Sequence, residues 1–444
     1  MTNKSTLHPS DIFWFWLPLA TMWLIMSAEQ PSITAAVSRL PEIEKNLAAF
    51  GLTFSLALII ESPVIMLLTA GTALATHRQA YQRLMTFTHI LSLLSTVLHL
   101  LLGFSPLYAH ILRSWIGVPE EGIIETSRVA FLLMTPWTAM IAYRRLLEGV
   151  MIRLGHPKRV TIVIIVRLLA TIFVLGTGLI LARWQGAYVG GVALSVAVTV
   201  GALSAWLLAR PLISQKLGVV TEEAEQLTWS RLLHFYAPLA LSTLITMVAS
   251  PILAFGLSSA PLPVKSLAIW PVVTSLVFIG RSFGIAYQEV VVALLKDAQS
   301  YAVLRRFTWT LALGSSGAFF LLAATPGAML WYRNISGLTE ELAQMAVWPT
   351  LILVLVPGLN AALSWQRGVL IHSKKTQLIS VAVALNMAVL VALMVGLPRL
   401  FAVPGAILAA SAVTISMVVE CFFLWWQSRT MTARLEARPL MATE

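Results

Sequence analysis

The sequence predicts an all-α integral membrane protein, with twelve transmembrane helices in two pseudo-symmetric six-helix lobes. Three observations lead there. Of the 444 residues, 58% are hydrophobic and only 11% are charged, too little polar surface to cover a water-soluble globule of this size. Apolar runs of about 20 residues, the length that crosses hydrocarbon as a helix, recur along the chain. Lipid offers no partner to backbone polar groups, so each run must be helical. The third observation is an internal duplication. Leu17-Pro18-Leu19-Ala20 opens a run that contains Glu29-Gln30-Pro31 and closes at Pro41. After an offset of 220 residues, Ala237-Pro238-Leu239-Ala240 opens a run that contains Pro251 and closes at Pro261. The register continues through Leu47-Ala48 and Leu267-Ala268, Phe87-Thr88 and Phe307-Thr308, Pro106 and Pro326, Arg113 and Arg333, and Glu120-Glu121 and Glu340-Glu341. A self-match of that length is a duplication rather than chance.

The spans fall at 12–36, 47–75, 84–105, 123–147, 160–182, 187–209, 231–255, 266–294, 303–325, 342–366, 376–397 and 404–427. The first is too long for a secretory apolar core and contains Glu29, so it is read as a retained span. With the N-terminus inside, 20 Lys and Arg side chains fall on the inner side and 7 on the outer, which places both termini in the cytoplasm of a plasma-membrane protein. The lobes occupy 1–210 and 229–428, joined by a polar cytoplasmic linker at 211–228 and followed by a cytoplasmic tail at 429–444. Six spans per copy is an even number, so the second copy enters the membrane as the first does. The segments after Pro106 and Pro326 are too short to span and read as partly helical external loops.

A net charge of +11 raises nucleic acid as a partner, but the bases lie in short loops between apolar runs, where they set orientation; no nucleic-acid partner is expected. The single Cys421 excludes an intramolecular disulfide, and no Cys or His spacing would hold zinc. No phosphate-cradling G-x-x-x-x-G-K-[ST], no H-E-x-x-H and no G-x-S-x-G occurs, and no nucleophile and base pair is visible. Neither enzyme nor cofactor chemistry is therefore expected. Without a fuel site, transport would run on gradients.

A charge at the centre of a span costs on the order of 3 kcal/mol, so each one calls for a reason. Glu61 and Arg281 lie near mid-span at the same offset, Glu29 in the outer half of the first span, Glu289 in the inner half of the eighth, and Arg167 in the inner third of the fifth. Glu420 and Arg128 lie closer to interfaces, where a long arginine can snorkel. Glu61 and Arg281 read either as local structural ion pairs or as a functional pair across the cleft between lobes, Arg281 receiving an anion and Glu61 titrating or holding a competing ion. Glu29, with Gln30 and Ser27, precedes Pro31, whose missing amide frees carbonyls at depth; this marks a proton or cation site, or a kink used for packing. Ser250 beside Pro251 is the uncharged counterpart. Asn360 and Asn386 read as helix-to-helix hydrogen bonds more readily than as ligands. Asn360 and Arg367 are seven apart, as are Arg281 and Gln288, which places each pair on one face. Glu148, opposite Arg367 at an offset of 219, reaches Arg144 and Arg145 at the inner end of a span and reads as part of a solvated face. His99, alone on an apolar helix, reads as a packing histidine.

These residues resemble a family. Ala28-Glu29-Gln30, the run Leu47-Ala48-Ala49-Phe50-Gly51-Leu52-Thr53-Phe54-Ser55-Leu56 with Pro63 after it, Arg128-Val129-Ala130-Phe131-Leu132, Pro238-Leu239-Ala240-Leu241 with Pro251-Ile252, and Gly405-Ala406 with Glu420 fall in the order and close to the spacing of the ankylosis-protein family. That family belongs to the superfamily of multidrug-and-toxin extrusion proteins and lipid-linked oligosaccharide flippases. The resemblance implies export of small organic or phosphate-bearing anions, with citrate, pyrophosphate and nucleotides as the substrate class, and carries over Glu29, Gln30, Arg128 and Glu420 as polar positions. Ser250 stands where the family has arginine and Leu58 where it has lysine, so two cations are lost unless Arg281 and Arg167 replace them. The sequence thus points to a monomeric, gradient-driven exporter. In this reading Arg281, Arg128, Arg167, Gln30, Asn360, Gln288 and Ser250 meet the substrate, and Glu29, Glu61, Glu289 and Glu420 couple to protons or sodium. A cation-coupled multidrug exporter and a flippase for an anionic lipid are the rivals.

Overall fold

Proline and the duplicated register decide where the long apolar runs bend. In the computed structural model, which describes residues 7–217, 226–373, 375 and 377–436 without the side chains of 430–436, the first copy forms ten helices. They are α1 (Pro9–Ser27), α2 (Glu29–Val37), α3 (Ile43–Ile65), α4 (Leu67–Leu74), α5 (Arg78–Phe104), α6 (Pro106–His110), α7 (Glu121–Leu133), α8 (Thr135–Arg153), α9 (Pro157–Leu181) and α10 (Gly186–Lys216). The second copy repeats them as α11 (Trp229–Met247), α12 (Ala249–Ser258), α13 (Pro263–Ile285), α14 (Tyr287–Leu294), α15 (Ala298–Ala324), α16 (Gly327–Met329), α17 (Glu340–Ile352), α18 (Val356–His372), α19 (Gln377–Leu400) and α20 (Gly405–Glu436). Glu222, Glu223 and Glu225 of the expected linker, and the tail beyond 436, lie outside the described residues.

A proline amide cannot bond the carbonyl four residues back, and its ring clashes there, so a helix breaks just upstream. Pro31 and Pro251 account for the breaks at Ala28 and Val248 in this way, and Pro136 and Pro357 for those at Met134 and at Leu353–Leu355. Further breaks at Met66 and Ala286 keep the same register. The short segments after Pro106 and Pro326 both pass into a π-helical turn, Ile111–Ile116 and Leu330–Ile335, closed by Gly117 at φ 81° and Gly337 at φ 73°, where a Cβ would be strained. Beside those turns Arg113 bonds Glu121 and Arg333 bonds Glu340, both exposed pairs of small energetic worth.

Eleven helices or broken helix pairs among the described residues are long and apolar enough to cross a membrane. The pair α7–α8 supplies the twelfth span; Arg144, Arg145 and Glu148 make it less apolar than its counterpart α17–α18. Exposed large side chains such as Leu93, Leu94, Leu98 and Leu101 on α5 and Leu169, Phe173 and Ile180 on α9 form faces suited to acyl chains. The chain is a multi-pass membrane protein.

Two compact units make up the chain. The C-terminal unit comprises Met1–Pro31, Val272–Ile335 and Thr339–Glu444; the N-terminal unit comprises Ser32–Pro271 and Ser336–Leu338. Each unit therefore holds the first helix of the other copy. In the C-terminal unit α1 packs on α14 and α15, and in the N-terminal unit α11 packs on α3. One device seats both. The Trp16 indole N–H donates to the Phe283 carbonyl at 3.0 Å while its ring meets Phe307 edge-on. At the duplicated positions, the Tyr236 hydroxyl donates to the Pro63 carbonyl and its ring meets Phe87 edge-on. Both acceptors lie in the last turn of a broken helix, α13 or α3, whose final carbonyls lack an intrahelical partner. The visiting aromatic caps the break. Trp16→Phe keeps most of the ring and removes the donor, and is expected to cost about 1 kcal/mol in a denaturation series in mixed micelles; an unchanged midpoint would mean the carbonyl is satisfied by another group.

A second repeated contact brings two backbones together. Gly149 of α8 faces α4 so closely that a Cβ there would stand 2.2 Å from the Leu68 carbonyl oxygen. Its counterpart, Gly368 of α18, faces α14, where a Cβ would meet the Val291 side chain at 2.7 Å and the Gln288 carbonyl at 3.3 Å. Small residues allow such approaches between membrane helices.

Candidate functional site: two buried charge clusters

In the N-terminal unit the cluster is built on α8, one turn of which puts Arg144 and Glu148 on the same face. Arg144 Nη1 donates to Glu148 Oε1 at 2.8 Å, with side-chain exposures of 2% and 1%. Arg145 Nη1 stands 3.5 Å from Glu148 Oε2, and its side chain is 24% exposed. One carboxylate is thus shared by two guanidiniums. Glu61 from α3 and Arg167 from α9, both buried, lie close enough to act electrostatically on Arg145. Gly201 of α10 completes the setting, since a Cβ there would press to 3.1 Å on the Arg144 side chain and 3.6 Å on that of Arg167.

The C-terminal unit carries a cluster at the corresponding place. Arg367 of α18 is ion-paired to Glu420 of α20, and Asn386 Nδ2 of α19 donates to the other Glu420 oxygen at 2.9 Å. Half-buried Arg281 of α13 feels attraction from Glu420 and repulsion from Arg367. Gln366 Nε2 donates to the Cys421 carbonyl at 3.1 Å, tying α18 to α20. Asn360 of α18 abuts α13 at Gly284, where a Cβ would stand 2.7 Å from Asn360 Oδ1. Four positions of the two clusters correspond, and at two of them the charge is exchanged. Glu61 becomes Arg281, Glu148 becomes Arg367, Arg167 becomes Asn386 and Gly201 becomes Glu420, the first at an offset of 220 and the others at 219.

The structure therefore gathers Glu61 and Arg167 in one unit and Arg281 and Glu420 in the other. Other expected site residues stand apart. Arg128 on α7 bonds Glu125 at 2.8 Å, the two side chains 31% and 55% exposed. Glu289 is exposed, and Gln288 and Ser250 are half-buried on α14 and α12. Glu29 is buried at the start of α2 beside half-buried Gln30, directly after the break at Ala28.

Three sequence expectations change. The face of Arg144, Arg145 and Glu148 is not solvated: α8 runs on to Arg153, whose guanidinium bonds the Thr72 and Ala73 carbonyls at 2.9 and 3.1 Å, so the cluster lies inside the packed helix. Glu420 is buried on α20, which continues to Glu436, and bonds partners on α18 and α19. Arg281 and Gln288 do not share one helical stripe, since the break at Ala286 puts them on separate helices, whereas Asn360 and Arg367 do lie on unbroken α18. The expected linker loses its first residues to α10, which passes through Pro211 to Lys216. Asn386 makes the helix-to-helix bond expected of it, and His99, fully buried, donates from Nε2 to the Phe131 carbonyl at 2.6 Å and stacks on that ring. The exchange of Glu148 for Arg367 across the duplication marks this position in the sequence, but does not by itself tell a buried cluster from a solvated face.

No protein-family profile matches the chain, and no curated protein matches it by sequence. Solved structures do match. A multidrug resistance MATE family transporter of the MOP superfamily, in an inward-facing conformation, superposes with a TM-score of 0.71 at 13% identity over 96% of this chain and 99% of its own. A MOP superfamily transporter from Pyrococcus furiosus, described by a reverse polarity of its binding pocket that suggests a different function, gives 0.66 at 14% identity over 98% and 99%. The lipid II flippase MurJ, in an inward closed conformation, gives 0.66 at 11% identity over 94% and 90%. The chain has the fold of the MATE transporters of the MOP superfamily.

Proposed function

We propose that this protein is a gradient-driven, alternating-access transporter that exports small organic or phosphate-bearing anions of the citrate, pyrophosphate or nucleotide class. The observation that carries the reading is that Arg281 and Arg367 stand together at membrane depth against one carboxylate, Glu420. Guanidinium groups keep their proton and present forked donors, so a carboxylate or phosphate gains bidentate, charge-assisted bonds there. The fold is compatible with such a charge sense, since the Pyrococcus furiosus neighbour is described by a reversed pocket polarity. The ankylosis-protein resemblance supports the same substrate class. In this reading Arg167 and Arg128 add positive potential, Gln30, Asn360, Gln288 and Ser250 orient the substrate, and Glu29, Glu61, Glu289 and Glu420 couple its movement to protons or sodium. The protein works as a monomer in the plasma membrane with both termini cytoplasmic.

The test is uptake of labelled citrate, pyrophosphate and nucleotide into inverted vesicles, with proton and sodium gradients imposed separately. Arg281→Gln is expected to lower uptake about tenfold, the worth of one charge-assisted contact. Equal uptake by native and variant protein would remove the anion site. A MurJ-like reading, in which an anionic lipid is flipped, predicts instead that lipid-linked substrates move and soluble ones do not. Drug resistance that survives Arg281→Gln, with no anion uptake, would favour multidrug export.

A further inference from the structure

We infer that the rim of the N-terminal unit where α8 ends, α9 begins and α10 ends binds an anionic phospholipid, its phosphate held by Lys158 and Arg210 and its acyl chains lying along α9 and α10. Printed in the contacts is one continuous basic rim. A short turn through Gly155, at φ 80°, joins α8 to α9 and sets Arg153 near Lys158 and Arg159. Arg159 Nη1 donates to the Leu208 carbonyl at 2.6 Å, which brings the start of α9 beside the turn of α10 that carries Arg210. Lys216 Nζ stands 3.5 Å from the Leu154 carbonyl, and the Arg210 guanidinium lies 5.3 Å from the centre of the Trp206 ring. These partners order the cations without cancelling them, since carbonyls and indoles carry no net charge. Among the described residues none of Arg153, Lys158, Arg159, Arg210 and Lys216 meets a carboxylate. No Asp or Glu occurs in α4, α9 or α10, and Glu148 of α8 is engaged by Arg144 and Arg145. Other surface cations differ: Lys45, Arg113, Arg128 and Arg333 each have a glutamate partner.

The apolar surface beside the rim says what covers it. Lys158 shares one face of α9 with Ile162, Ile165 and Leu169, and Arg210 shares one face of α10 with Leu203 and Leu207. All of these side chains are exposed, and the two helices pack against each other. Two neighbouring hydrocarbon stripes, each headed by a cation at the same end, fit a lipid with two acyl chains under one phosphate. The phosphate gains charge-assisted bonds there. An anionic headgroup is favoured over a zwitterionic one, because the rim repels the second headgroup's own cation. The surface is separate from the Arg281 cluster and does not depend on the substrate reading.

The experiment is native mass spectrometry of the purified full chain in detergent, with phosphatidylglycerol or phosphatidylcholine of the same acyl chains added in steps. Phosphatidylglycerol is expected to bind about tenfold more tightly. Lys158→Gln and Arg210→Gln are each expected to weaken it about fivefold and to leave phosphatidylcholine nearly unchanged. Arg113→Gln removes the same charge from a pair with Glu121 and is expected to change neither affinity. Inorganic phosphate, which has no acyl chains, is expected not to displace the lipid. Equal affinities of the native protein for the two lipids, as when the linker acids Glu222, Glu223 and Glu225 neutralise the rim, would overturn the inference, and that comparison needs no variant to fold. So would weakening by Arg113→Gln as large as by Arg210→Gln, which would mean diffuse attraction, or displacement by inorganic phosphate, which would mean a free-anion site.

Discussion

Glu148→Gln is expected to destabilise the protein by about 3–5 kcal/mol, the penalty for breaking a buried ion pair from one side. Glu148 is 1% exposed and is the carboxylate that Arg144 bonds and Arg145 approaches, so the amide leaves two guanidiniums without their partner charge. The companion measurement is the double variant Arg144→Met with Glu148→Leu. It removes both ends of the bonded pair and fills the space with apolar atoms, so it should lose less than Glu148→Gln alone, as the coupling of contacting residues requires. Both are read from denaturation in mixed micelles. A loss below about 1 kcal/mol for the single variant would mean that water reaches the cluster and screens it.

Gly149→Ala is expected to cost about 3 kcal/mol or more, and Gly368→Ala about 1–2 kcal/mol, on the scale of overpacked interiors. The two glycines correspond, yet what their added methyls strike differs. At 149 the obstacle is the Leu68 carbonyl oxygen at 2.2 Å, and a backbone atom yields only if α4 and α8 separate. At 368 the nearest atoms are Val291 Cβ and Cγ1, both at 2.7 Å, a milder overlap, although Cβ too moves only with its own backbone and the valine is stiff at χ1. The ratio of the two losses, measured under one set of conditions, decides the matter. Equal small losses would mean that the α4–α8 contact relaxes freely.

Much of the fold was legible because duplication turns one sequence into two readings of the same backbone. Pro31 and Pro251, and likewise Pro106 and Pro326, mark corresponding bends or loop starts in the two copies. The exchange of first helices was not legible. Trp16 and Tyr236 share the offset, but nothing in the local pattern says which copy's carbonyl each will cap. The Glu148 cluster was misread for a different reason. Hydropathy ends a span where charges begin, so it truncated α8 at the residues that packing buries; a buried ion pair and a solvated one have the same composition. Charge at mid-span marks Arg281 and Glu61, and that Arg367 and Arg145 lie near them is a matter of packing the sequence does not show.

The seat of α1 also bears on synthesis. Trp16 and the Phe283 carbonyl it caps are 267 residues apart in sequence, so α1 leaves the ribosome long before α13–α15 exist. At translation rates of about 5–20 residues per second, that interval lasts on the order of 10–50 seconds. During it the nascent first helix has lipid, or an insertion chaperone, as its neighbour. A chain terminated after α10 would keep that helix and never receive its seat, and would also lack Tyr236 to cap α3, so neither half-length product is self-sufficient; co-translated halves would have to trade helices to mature.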